Sequence, residues 1–194
     1  MGRLDNYDRL PNNYLLFVLI LPAIYLPIML SQNYHRKLPH IQPAEATFFI
    51  TFRLSGSMPR EMIRRLREND TLIQNGILTQ PDLTEKERRE LACTEQKRLF
   101  AATDNFLDTN PNGPYWLREA EVAEVVTEAM HYRDRKQYDL HAFTIMPNHV
   151  HMLLTLLPGA PVLFKVMQHL KKNSAVKANK LLGRTGLAFW EEES

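Results

Sequence analysis

The sequence predicts an α+β protein in which an antiparallel sheet is covered by helices. Short stretches rich in β-branched and aromatic residues alternate between apolar and polar positions, as half-buried strands do. Longer stretches place apolar residues three and four positions apart, which is the spacing of an amphipathic helix. The two kinds of stretch follow one another in the order strand, helix, strand, strand, helix, strand.

The first half of the predicted fold is a strand followed by a helical insertion. The strand covers residues 46–54 and is rich in phenylalanine and threonine. The insertion covers about residues 56–112 and contains helices predicted at 57–68 and 84–103. The second of these begins with a Thr-x-x-Glu capping box, which is a common start of a helix.

The second half contains the remaining elements. They are predicted as a helix at 116–133, strands at 138–146 and 149–157, and a helix at 161–182. In the strand at 138–146, strict alternation predicts one shared face for Tyr138, Leu140, Ala142 and Thr144. A last strand is predicted to begin at Gly186. This order is that of a ferredoxin-like sandwich (βαββαβ), an antiparallel sheet with helices on one face, with the insertion after the first strand.

Composition limits the class of protein. A chain of 194 residues with 44% apolar content fits one globular domain with appendages. The net charge of +2 does not by itself indicate a nucleic-acid partner. The single cysteine, Cys93, excludes an internal disulfide and a cysteine-cluster zinc site, and it fits a reducing compartment. We interpret Cys93 as a small apolar helix residue.

An uncharged segment, Tyr14 to Leu30, lies within an N-terminal extension of residues 1–33. It is slightly shorter than the ~20 residues that span a bilayer, and Pro22 and Pro27 interrupt its helical pattern. A membrane anchor, a buried helix and an extension unrelated to the domain all remain open, and length and prolines count against the anchor.

The clearest chemical signal is Met146-Pro147-Asn148-His149-Val150-His151. In a strand His149 and His151 point to the same side, with roughly 7 Å between their Cα atoms at about 3.3 Å rise per residue. Both imidazoles can then reach one metal ion, although histidines that only fill polar positions on a strand are the simpler alternative. The sequence does not identify a third ligand.

A basic helix follows the histidines. Lys165, Lys172 and Lys180 lie on the side opposite its apolar face, and Pro158 to Phe189 contains no acidic residue. A helix with only basic charges is typical of a surface that binds a phosphate backbone. A simple solvated face is the alternative.

These residues resemble a known family. Residues 146–154 are similar to the HUH motif of the REP-associated tyrosine transposases, relatives of the small single-strand insertion-sequence transposases. The resemblance extends over residues 34–194 and includes the segments Tyr34-His35-Arg36-Lys37-Leu38-Pro39-His40, Gly113-Pro114-Tyr115-Trp116-Leu117, Leu170-Lys171-Lys172-Asn173-Ser174-Ala175 and Phe189-Trp190. We therefore expect a transposase-like HUH domain at 34–194.

The resemblance implies a mechanism. In the family the two histidines help to hold a divalent metal, Mg or Mn, that polarises a scissile phosphate in single-stranded or hairpin DNA. A tyrosine then attacks that phosphate and becomes linked to the DNA. His149 and His151 inherit the role of metal ligands, and the resemblance also implies a homodimer. A cytoplasmic location is predicted from the reducing compartment that the single cysteine fits.

The sequence departs from the family at the nucleophile. The family's tyrosine lies beyond the last strand, but no tyrosine follows Tyr138. We therefore expect the nucleophile beyond Ser194 and the domain to be incomplete at its C-terminus. Three readings stay open: a transposase-like protein that binds metal and DNA but does not cleave alone, a non-catalytic DNA-binding remnant or regulator, and a protein tethered to a membrane through residues 14–30.

Overall fold

The computed structural model describes residues 47–110 and 112–191. The apolar segment 14–30 and the start of the predicted domain lie outside the described residues, so the division at residue 34 stays a prediction. The described elements are β1 (Thr47–Arg53), α1 (Arg60–Thr79), α2 (Glu85–Thr109), a short 3-10 helix (Trp116–Arg118), α3 (Ala120–His131), β2 (Tyr138–Ile145), β3 (His149–Leu156) and α4 (Leu163–Leu181). No helix in this part of the chain is long and apolar enough to cross a membrane.

The strands form one antiparallel sheet in the order β1-β3-β2. The central strand is β3, in which His151 lies opposite Thr51 of β1 and Thr144 of β2. The tight connection from β2 to β3 is closed by a hydrogen bond from the Met146 amide to the His149 carbonyl. The α+β prediction and the predicted hairpin are thus confirmed.

The C-terminal segment pairs with the outer edge of β1. Leu54 and Trp190 form an antiparallel bridge, and the amides of Ser55 and Glu191 donate to the carbonyls of Phe189 and Arg53. This is the position of the fourth strand in a ferredoxin-like order. Within the described residues the pairing is a single bridge and not a full strand.

The main hydrophobic core lies between one face of the sheet and helices α3 and α4. Alternate residues of β3, Val150, Met152 and Leu154, are completely buried there. The core is completed by residues of β1 and the position after it, the 3-10 helix, α3, β2, α4 and the C-terminal segment: Ile50, Phe52, Leu54, Leu117, Val122, Val126, Met130, Tyr138, Leu163, Val166, Met167, Leu170, Ala178, Phe189 and Trp190. Helices α3 and α4, which are the two helices of the predicted βαββαβ order, therefore share one face of the sheet.

The alternation predicted for β2 was wrong beyond Leu140. The pairing with β3 is irregular at His141, because Leu140 lies opposite Leu154 and Ala142 lies opposite Leu153. A bulge of this kind shifts the following residues to the other face. Phe143 packs against the core as a result, while Ala142 and Thr144 are exposed.

The insertion after β1 is an antiparallel pair of long helices. Helix α2 begins with the predicted capping box, in which the Thr84 side chain accepts from the Glu87 amide and the Thr84 amide donates to the Glu87 carboxylate. Helix α1 was predicted to end near Glu68 but continues to Thr79. It ends where the residue before Pro81 adopts an extended conformation, as proline favours in its predecessor.

Candidate metal centre

His149 and His151 lie at the start of β3 and point away from the main core. Their Nε2 atoms are 3.0 Å apart. The His149 side chain is completely buried and that of His151 is 18% exposed. Because β3 is the central strand, both rings have a strand on each side, and their mutual position is set by the sheet.

A third group, Asp104 of α2, reaches the same point. Its Oδ1 atom lies 3.4 Å from Nε2 of His149 and 3.1 Å from Nε2 of His151. Sequence reasoning did not find this residue, which lies 45 positions before His149. A signal was present, because Asp104 falls between Phe100 and Leu107 at spacings of four and three, and an acid on the apolar side of a helix is unusual.

The two rings are oriented by their Nδ1 atoms. Nδ1 of His149 is 2.7 Å from Oδ1 of Asn148, whose Nδ2 donates to the Leu107 carbonyl at 2.8 Å. Because the NH₂ group of Asn148 donates to the carbonyl on α2, the side-chain oxygen of Asn148 faces the His149 ring and accepts the proton of Nδ1. The Nε2 lone pair of His149 then points at the cluster. Nδ1 of His151 bonds the Thr51 hydroxyl at 2.8 Å.

Aromatic side chains enclose the His151 ring. Phe49 of β1 stacks on it with ring centres 5.5 Å apart, and Phe100 of α2 lies 6.0 Å from it. Phe49 and Phe100 also meet edge to face at 5.5 Å. These contacts join α2 to the sheet beside the cluster and restrict the rotation of His151.

The Asp104 carboxyl is kept in its charged form. Burial acts to raise its pKa, but hydrogen bonding and positive charge from the two imidazoles, when they carry a proton at Nε2, outweigh burial and hold the pKa well below its usual range. When the imidazoles carry no proton at Nε2, Oδ1 of Asp104 is buried without a hydrogen-bond donor directed at it. A buried carboxylate oxygen in this state is costly unless a cation satisfies it.

The three groups fit a divalent metal ion. Oδ1 of Asp104 and the two Nε2 atoms form a triangle with sides of 3.0, 3.1 and 3.4 Å. Ligands held about 2.0–2.2 Å from one ion at angles between 90° and 110° are separated by about 2.8–3.6 Å. Two imidazoles and a carboxylate suit a first-row ion such as Mn²⁺ better than Mg²⁺, because imidazole is a softer ligand than oxygen.

The predicted DNA-binding lysines lie on the other side of the sheet. Lys165, Lys172 and Lys180 are exposed on α4, which packs against the core face. The histidines occupy the opposite face, because they alternate with the core residues of β3. The structure therefore brings the two histidines together but does not place the lysine row beside them.

None of the tyrosines in the described ranges presents its hydroxyl to the cluster. Tyr115 donates to the Asn110 carbonyl and Tyr138 to the Met130 carbonyl. Tyr132 is exposed at the end of α3, with the Lys136 ammonium 4.0 Å from its ring centre. The described part of the chain thus offers ligands for a metal but no tyrosine nucleophile beside them.

The comparisons with known proteins give a family match for the C-terminal part of the chain. Residues 116–193 match the family described as "Transposase IS200 like". No curated protein and no solved structure gives a significant match. The matched range contains His149 and His151 but not Asp104, which belongs to the helical insertion. Both histidines of the candidate metal centre therefore lie in a segment with the sequence pattern of the IS200-like transposases.

Proposed function

We propose that this chain is a transposase-like protein that binds single-stranded or hairpin DNA and holds a divalent metal, Mg or Mn, through His149 and His151. The observation that supports it most is the convergence of the two Nε2 atoms at 3.0 Å beside a buried carboxylate. The family match makes DNA processing the chemistry for which such a centre would be used.

The residues of the chain have distinct tasks in this proposal. When bound, the metal supplies a Lewis acid for a phosphate oxygen of the DNA. His149 and His151 hold it, and Asn148 and Thr51 keep their Nε2 atoms directed inwards through the hydrogen bonds at Nδ1. Phe49 and Phe100 limit access of water to the His151 side of the centre.

The lysine row is proposed to bind DNA away from the metal. Lys165, Lys172 and Lys180 are exposed on a helix without acidic residues. Since α4 lies on the opposite face from the histidines, these lysines would contact phosphates that flank the cleavage point. Such contacts add affinity in a salt-dependent manner and carry no sequence information.

A second candidate is a DNA-binding protein or regulator that does not cleave. It is favoured by the positions of the described tyrosine hydroxyls, which bond elsewhere or lie at the end of α3. In the complete enzyme of the family type, a tyrosine would attack the polarised phosphate and cleave and rejoin the strand. A homodimer and a cytoplasmic location belong to the same proposal, whereas the membrane-tethered alternative rests on residues outside the described ranges.

Fluorescence anisotropy with labelled hairpin, single-stranded and duplex DNA tests binding. We expect hairpin or single-stranded DNA to bind more tightly than duplex, with a log affinity that falls linearly with log salt concentration. Replacement of Lys165, Lys172 and Lys180 by alanine should reduce that slope. Lys97→Ala, an exposed lysine of α2, is the matched control and should have a much smaller effect. Equal binding of all three DNA forms would contradict the proposed substrate class.

Cleavage is tested separately on a denaturing gel with Mn²⁺ or Mg²⁺. A covalent protein–DNA product that disappears in His149→Ala and His151→Ala would show that this chain cleaves, and would refute the non-cleaving candidate. Binding that survives both substitutions without any cleavage would favour the regulator.

A further inference from the structure

We propose that Asp104 is the third ligand of the metal, so that metal binding and docking of the α1–α2 helical hairpin onto the sheet are a single linked equilibrium. This inference rests on the metal proposed at His149 and His151. It goes beyond it because Asp104 lies outside the segment 116–193 that matches the transposase family. The ligand set would then combine the family-like strand with the insertion of this chain.

The surroundings of Asp104 favour a ligand over a simple ion pair. The residue is buried, and its Oδ1 atom has no hydrogen-bond donor directed at it. This atom faces two Nε2 atoms that also face each other, at 3.0 Å. When neither Nε2 atom carries a proton, all three atoms present lone pairs to the same point, and a cation satisfies them together.

Hydrogen bonds fix the position of α2 so that Asp104 reaches the two histidines. The Leu107 carbonyl, one turn after Asp104, accepts from Nδ2 of Asn148, which also orients His149. Beyond the end of α2, Nδ2 of Asn110 donates a hydrogen bond of 3.0 Å to the carbonyl of Ser57, which lies shortly after β1. The Asn148 side chain therefore sets the position of His149 and also of the helix that provides Asp104.

Several contacts between the helical hairpin and the sheet lie close to Asp104. Phe100, Asp104 and Leu107 contact the sheet or its hairpin from the C-terminal half of α2. The distal part of the hairpin has its own small cluster of Ile77 and Ala92, which is separate from the main core. A metal at Asp104 would therefore act directly beside the contacts of Phe100 and Leu107.

Linkage then sets the size of the effect. A ligand that binds only the docked form raises the ratio of docked to undocked molecules by the factor 1 + [L]/Kd, about a hundredfold at a metal concentration 100 times Kd. The reverse also holds, because undocking removes one ligand and weakens metal binding. Hairpin closure and metal loading would therefore occur together.

The test measures Mn²⁺ binding and backbone hydrogen exchange on the full chain. Free Mn²⁺ is followed by electron paramagnetic resonance, and exchange is measured in α2, with α4 as the internal reference. We expect Mn²⁺ to slow exchange in α2 and to leave α4 unchanged. Asp104→Asn should weaken Mn²⁺ binding at least tenfold and abolish the protection of α2. Asp108→Asn, an exposed acid one turn further along the same helix, is the matched control and should behave as the unchanged protein.

A second variant keeps the inference open to refutation if Asp104→Asn does not fold. Asp104→Cys introduces a thiolate, which prefers soft ions. The ratio of the Cd²⁺ affinity to the Mn²⁺ affinity should therefore be higher in this variant than in the unchanged protein.

The outcomes separate this inference from the proposed function. If Mn²⁺ binds equally to the unchanged protein and to Asp104→Asn, or if the cysteine variant shows no change in preference, Asp104 is not a ligand and the two-histidine site stands. If Asp104→Asn weakens binding but metal does not protect α2, the linkage is refuted. If neither Mn²⁺ nor Mg²⁺ binds the unchanged protein, the proposed metal function itself fails.

Discussion

Replacement of Asn148 by alanine should weaken metal binding although Asn148 is not a ligand. Its side chain is buried and makes two hydrogen bonds, at 2.7 Å to Nδ1 of His149 and at 2.8 Å to the Leu107 carbonyl. Loss of a group that orients a metal-binding histidine reduces metal affinity by about 10- to 100-fold. The substitution also leaves two buried polar groups without partners, at about 1–3 kcal/mol each in the free energy of unfolding.

Isothermal titration with Mn²⁺ measures the first effect and urea unfolding the second. Asn179→Ala is the matched control, because Asn179 is a buried asparagine that donates to the Leu187 carbonyl from α4. It should lower stability by about 1 kcal/mol and leave Mn²⁺ affinity unchanged. Asn148→Asp separates the two roles, since it still accepts from His149 but cannot donate to Leu107. We expect it to retain metal affinity and to lose stability.

The reasoning would be refuted if Asn148→Ala bound Mn²⁺ as tightly as the unchanged protein while His149→Ala abolished binding. The orientation of His149 would then not depend on its Nδ1 partner.

Three further predictions concern the stability of the fold. Burial raises the pKa of the Tyr138 hydroxyl in the folded protein. Above about pH 10 this hydroxyl loses its proton in the unfolded chain but keeps it in the folded protein, so the free energy of unfolding should fall by up to about 1.4 kcal/mol per pH unit. Tyr138→Phe should remove that part of the slope in urea unfolding at pH 8 and 10.5, and an unchanged slope would contradict it. Leu154→Ala, in the core face of β3, should cost about 2–5 kcal/mol in urea unfolding and leave Mn²⁺ affinity unaltered. Trp190→Phe removes the 2.9 Å hydrogen bond from Nε1 to Ser174 and should lower the melting temperature, whereas an unaltered value would show that the C-terminal segment does not support the sheet.

Local patterns were enough to predict most of the elements. The β2–β3 hairpin, α4 and the start of α2 follow from alternation, apolar spacing and a capping box, all of which depend on neighbours in sequence. Helix α1 was predicted too short: it continues through Asn69 and Asp70 to Thr79, since no proline interrupts it before Pro81. The bulge at His141 was missed, because an irregular pairing depends on the partner strand.

The residues of the candidate site likewise fall into those that local sequence patterns predicted and those that only the fold brings together. The spacing of two residues was enough to predict that His149 and His151 lie on one face of a strand, because this alternation is a property of the strand alone. The place of Asp104 in the cluster depends on the folded chain, since α2 and β3 meet through packing between residues 45 positions apart. The placement of the α4 lysines and the histidines on opposite faces likewise depends on the fold, because it follows from the side of the sheet that the helix covers.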